Sequence, residues 1–454
     1  MSVDSAIIVS GDLVISSGAS SAGLLVEGLG FVVIENGGTL DASVATSQGM
    51  ITVDAGGLLL NTDVEEDGFI VIDGTAEGLT ARNSGQFQAY TGGALKDAML
   101  EEGGQGVIGA GATAMDTNVA GGYFMLYGGT GEKTVVSSGG SFVVQLETGK
   151  ANHTTVLKGG IMRLISSGAA EATTLSGGFL EVLGGSAAGT ILSGGSMRVN
   201  PGDTVQDTTV NDGRLEIISA TAIATVVNGA EVRAVSASTL QGLTMNGGAL
   251  TLEGGLLSSA LVDSGAFLSV SGATISDLTM NDEFSLFFAD ASEMNDVTVN
   301  GGTGTFTGVT ANGFAAGSEA IVDFDSASMI FGKAVFAEGA TVALAGTTVT
   351  FDTNIATATE AQFKGLSAVT GDAVYTLNAG VDVGIYLLAT DADEFNSDVV
   401  FGQYTLRLNE EPLKVGDLVY TLDLNAGVLD LTIEEYVPPT PGIVTLAYAN
   451  SEWA

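Results

Sequence analysis

One phrase of about ten residues returns along the chain. It reads "TTVLKGGIMRL" from Thr154, "TTLSGGFLEV" from Thr173, "TILSGGSMRV" from Thr190, "TTVNDGRLEI" from Thr208 and "LTMNGGALTL" from Leu243. With the second glycine of each pair, or its replacement, as origin, the repeats fall at Gly160, Gly178, Gly195, Gly213, Ala230, Gly248, Gly265, Glu283 and Gly302. The steps are 18, 17, 18, 17, 18, 17, 18 and 19 residues. Three residues before each origin stands an apolar residue: Leu157, Leu175, Leu192, Val210, Val227, Met245, Val262, Met280 and Val299. Two and four residues after it come pairs such as Met162 and Leu164, Leu180 and Val182, and Leu215 and Ile217. Apolar residues at every second position describe short strands with one buried face.

Weaker glycine marks carry the period toward the N-terminus, at Gly11, Gly28, Gly49, Gly68, Gly85, Gly103, Gly121 and Gly139. Residues 5 to about 310 thus hold roughly seventeen repeats. A repeat this short cannot bury its own apolar side, so stacked neighbours must cover it. Two strands and two glycine-marked turns per repeat, with no helical period, predict an all-β chain: a single-stranded parallel β-helix of about 17 coils. Stacked strands lie about 4.8 Å apart, so the rod should be on the order of 75 Å long.

Four residues before the origin, at a position expected to face outward, Val156, Ile191, Val226 and Leu261 alternate with Thr174, Thr209, Thr244 and Thr279. Each series steps by 35 residues, so the unit here is a pair of coils. Such a pair fits growth by duplication, or an outer face striped for a partner.

After about residue 310 the period is lost and aromatic strands follow. Residues 311–436 are expected to form a β-rich C-terminal cap that closes the edge of the solenoid. The segment "LVYTLDLNAGVLDLTI" reads as a hairpin about Asn425, Ala426 and Gly427. Residues 437–454, with three prolines in "YVPPTPG", read as a linker or the start of a further region.

Charge narrows the partners. Thirteen Lys and Arg face 53 Asp and Glu, a net charge of −40. Such a surface repels phosphate backbones, so nucleic acid is excluded as a partner. No run reaches the length of a membrane-spanning helix, no basic leader precedes residue 18, and cysteine is absent. No catalytic, cofactor or metal residue can be assigned. The sole histidine, His153, sits at a turn and is expected to be solvated; no nucleophile is placed near it. "DVEEDGFIVID", Asp63 to Asp73, offers carboxylates that could hold Ca²⁺ weakly, though such runs are more often solvated corners.

The phrase "TTVxxGGxLxV", shown best in "ANHTTVLKGGIMRLISSGAAEATTLSGGFLEVLGG", resembles the repeats in passengers of AIDA-type autotransporter adhesins. The resemblance covers about residues 5–310. It implies a right-handed β-helix exported to the cell surface or secreted, and roles in adhesion, self-association or biofilm. Partners implied are host or bacterial surface molecules, glycans, or the protein itself. No ligand residue carries over, because the repeat specifies core and corners alone. A non-enzymatic adhesin or spacer rod is the first expectation. A carbohydrate-active β-helix enzyme of the lyase or hydrolase type is the alternative, and it requires a cleft with ordered acidic rows.

Overall fold

The computed structural model describes residues 7–329 and 332–438. These form strands almost throughout, with one short 3-10 turn at Leu366–Ala368. About 19 turns stack into one parallel β-solenoid. A single turn shows the plan. Gln105–Gly109 runs along a broad face, Thr113–Met115 along a middle face and Asn118–Val119 along a narrow face. Each pairs in parallel with its counterpart one turn on: Gln105 with Tyr123, Thr113 with Thr130, Asn118 with Val135.

A turn therefore has three strands where the repeat predicts two. The third escapes the alternation test because it is so short. Thr113–Met115, Lys150–Asn152 and Ala169–Glu171 each hold three residues around one inward alanine: Ala114, Ala151 and Ala170. One small inward residue in a strand of three gives no period to read.

The corner between middle and narrow faces is a single left-handed residue in turn after turn. Asp97, Asp116, Lys133, His153 and Ala172 have φ of 52, 55, 54, 51 and 55°. Few of these are glycines, which is why this corner carries no mark in the sequence.

Inward side chains form continuous columns. Met162, Leu180, Met197, Leu215, Val232 and Leu250 follow one another on the broad face, all fully buried. On the narrow face the expected column needs one correction. Val156, not Leu157, pairs with Leu175 and is buried, while Leu157 is exposed. The turn from Val156 to Gly160 holds one residue more than that from Leu175 to Gly178, so counting back from the glycine overshoots. The outward column shifts with it. Thr155 stands beside Thr174, and the alternation proper runs Ile191, Thr209, Val226, Thr244, Leu261, Thr279.

Stacking outlasts the visible period. Ile321–Asp325 pair in parallel with Thr341–Ala345, and Val342 pairs with Val369. Longer loops between these strands hide the repeat, which is why about 19 turns exist where about 17 are countable. Antiparallel pairing then takes over: Gly384–Thr390 lies against Val428–Glu435, which forms the expected hairpin with Leu418–Asn425. Of residues 437–454, only Val437 and Pro438 are described, so the linker reading lies almost wholly outside the described residues.

Candidate binding face

The chemical candidates of the sequence do not converge. Asp63 lies on the narrow face and, with Glu65, is taken up by Arg82: Nη2 meets Asp63 Oδ2 at 2.8 Å and Nε meets Glu65 Oε2 at 2.7 Å. The hydrogen bond that Arg82 donates to Glu65, then the charge of Asp63, raises the Arg82 pKa against the opposing effect of burial. Asp67 sits in the next corner, and Asp73 lies beyond the strand Phe69–Ile72. The run thus spreads around the turn. Among the described residues no group of three or more His, Cys, Asp or Glu could hold a metal. His153 occupies the left-handed corner, its side chain 65% exposed, with Nδ1 2.8 Å from Glu132 Oε1.

Nor do the carboxylates of the broad face form an acidic row. One outward column there alternates in sign: Arg163, Glu181, Arg198, Glu216, Arg233, one per turn. Arg163 Nε reaches Glu181 Oε2 at 3.0 Å and Arg198 Nε reaches Glu216 Oε2 at 2.9 Å. Glu216 is also 3.5 Å from Arg233 Nη1. These exposed pairs neutralise one another, and each is worth at most about 1 kcal/mol.

A wide uncharged surface lies just N-terminal to this ladder, on the same face. Seven successive strands carry no charged residue: Phe31–Ile34, Met50–Val53, Phe69–Ile72, Gln86–Ala89, Gln105–Gly109, Tyr123–Tyr127 and Ser141–Gln145. The chain around them has a net charge of −40. Alternation sends Ile51, Ile70, Phe87, Phe124 and Phe142 inward, all fully buried. It leaves Phe31, Val33, Met50, Phe69 and Val71 outward in the first three, then Gln86, Gln88, Gln105, Tyr123 and Met125.

The edge column changes character along the rod. Glu35, Asp54 and Asp73 follow the first three of these strands. In the next turns the same place holds Tyr90, then Gly109, Tyr127 and Gln145, which stand in register. Gly109 lies directly beside Tyr90: a Cβ built on it would sit 3.5 Å from Tyr90 Cδ1. Tyr90 and Tyr127 are 47% and 48% exposed on either side of this buried glycine. The Tyr90 hydroxyl donates to Gln88 Oε1, and the Tyr123 hydroxyl lies 3.6 Å from Met125 Sδ. Burial pushes the Tyr123 phenol up, against a smaller pull from Arg163, so it stays neutral.

The floor beneath is aromatic. Phe124 and Phe142 stack with centroids 5.3 Å apart, and Gly106 leaves room for the Phe87 ring, which a Cβ there would strike. Sequence reasoning passed over these outward residues because no motif joins them. The available signal was parity: in "QFQAY" and "YFMLY" the buried Phe87 and Phe124 fix Gln86, Gln88, Tyr90, Tyr123 and Tyr127 on the other side.

No protein-family model matches the sequence, and no curated relative does. Among solved structures, the chain is similar to the TibC-catalysed hyper-glycosylated fragment of TibA, at 22% identity and TM-score 0.42, over 60% of this chain and 91% of that one. It is also similar to the Hap adhesin of Haemophilus influenzae, at 11% identity and TM-score 0.30, over 89% of this chain and 64% of that one. An endo-xylogalacturonan hydrolase from Aspergillus tubingensis aligns at 12% identity with a TM-score of 0.13.

Proposed function

We propose that this chain is a non-enzymatic β-solenoid rod, cell-surface or secreted, that acts in adhesion or self-association through its broad face. The observation that carries this reading is the run of seven uncharged strands on a chain of net charge −40. The strip is wide and apolar as well as uncharged, with Phe31, Val33, Phe69, Val71 and Met125 among its outward residues, and large uncharged apolar patches mark interaction sites. The antiparallel unit within residues 311–436 acts as the cap, covering the last parallel edge.

Cells displaying the full chain are compared with cells displaying Val107→Glu/Met125→Glu. Faster attachment or settling by the unsubstituted protein supports the reading. Equal behaviour of the two, at equal display, removes the broad face as the acting surface and leaves a spacer.

A further inference from the structure

We infer that the part of the broad face spanning Gln86 to Gln145 is a binding site for a neutral, hydroxyl-rich polysaccharide. The inference rests on the adhesive reading above and names its ligand class. Three features locate it. First, these four turns are where the edge column also loses its carboxylates, so the whole width of the face is free of charge. Second, all three tyrosines that precede residue 375 stand here, together with four of the nine glutamines of the chain. Third, the side chains stand in a register that a regular polymer can follow, because each turn repeats the one before at about 4.8 Å.

The chemistry of these groups is that of sugar recognition. Aromatic rings offer flat apolar faces to the C–H side of a pyranose, and phenol and amide groups both donate and accept toward its hydroxyls. Tyr90 and Tyr127 are two strand steps apart, roughly 10 Å. Gly109 between them leaves a slot for a saturated ring; the neighbouring outward column holds Gln88, Val107 and Met125, and Gln105 and Tyr123 stand one column further across the face. The strip itself carries no charged residue to meet a sulfate or uronate, and Arg163, which borders it, is paired with Glu181. The acidic remainder of the rod repels both. A neutral polymer pays no such penalty.

The test uses the full chain in affinity gel electrophoresis. The gels contain neutral polysaccharides built on glucose, galactose, mannose or xylose, with heparin and polygalacturonate as charged arms. Retardation by at least one neutral polymer, unchanged in 0.5 M salt (a Debye length of about 4 Å), is expected. Tyr90→Ala/Tyr127→Ala should weaken it at least tenfold, and Gly109→Leu, which fills the slot while keeping both phenols, should do the same. Thr239→Ala, on the middle face, should leave it unchanged. Circular dichroism melts show that each variant is folded. Three results would overturn the inference: no retardation by any neutral polymer, retardation confined to the charged arms, or variants that bind like the parent. If cell attachment then persists and sedimentation shows dimers lost in Tyr90→Ala/Tyr127→Ala, the face seats a second copy of the chain, and the adhesive reading survives without the glycan.

Discussion

Asn228 accepts a hydrogen bond from Asn246 Nδ2 at 2.8 Å one turn on, and donates its own to Asn211 Oδ1 at 2.7 Å one turn back. The same column resumes with Asn281 donating to Asp263 at 2.8 Å and Asn300 donating to Asn281 at 2.8 Å. Asn228 and Asn281 each give and receive, so the column holds adjacent turns in register. Asp263 sits where an amide is needed. Its carboxylate accepts from Asn281 but has no N–H for Asn246. Replacing Asp263 with Asn completes the column and should add about 0.5–1.5 kcal/mol. Urea unfolding should show a higher midpoint at unchanged slope. A lower midpoint would mean that Asp263 is doing something other than filling a place in the column.

A second column is less well satisfied. Thr117, Thr134, Thr154, Thr173, Thr190, Thr208 and Thr225 occupy one inward position in successive turns, and their hydroxyls are buried without a partner. Thr173→Val keeps the shape and removes the stranded hydroxyl, and should stabilise by about 1 kcal/mol. Thr173→Ala removes a methyl as well, opens a void and should destabilise. Thermal melts of the two variants should move in opposite directions.

In the C-terminal hairpin Asp423 stands directly opposite Asp430. Burial, and then the charge of Asp423, raises the Asp430 pKa. Its folded value thus lies above the unfolded one of about 3.9. The associated stability is fully present below that unfolded value and is lost as pH rises through the folded one. Asp423→Asn should therefore raise stability near pH 7 by about 0.2–1 kcal/mol. Its advantage over the parent should shrink as the pH falls toward 4, read from melting temperatures across that range.

Gly106 lies between Phe87 and Phe124 in the inner column, and a Cβ there would run into the Phe87 ring. Gly106→Ala should destabilise by about 1–3 kcal/mol. Phe87→Leu in the same molecule should recover part of that loss, because the ring is what the methyl strikes. Additive losses in the double variant would mean that the crowding lies elsewhere.

Most of the architecture was legible because the solenoid repeats a one-dimensional rule. Glycine spacing and period-two alternation are local, so they place Met162, Leu164, Leu180 and Val182 inside without reference to any other turn. The third strand was not legible, since three residues around one alanine carry no period. Leu157 was misplaced for a related reason: an extra turn residue shifts inside to outside, and only pairing with Leu175 through Val156 reveals it.

The binding face divides in the same way. The sequence determined that Tyr90, Tyr123 and Tyr127 face away from the core, because parity with Phe87 and Phe124 decides that within each strand. Only the tertiary structure decided that Tyr90, Gly109 and Tyr127 share a column. They lie 18 or 19 residues apart, and turn lengths around the rod vary, so which residues become neighbours depends on the register between turns. That register comes from the packing of the core, which no single repeat contains.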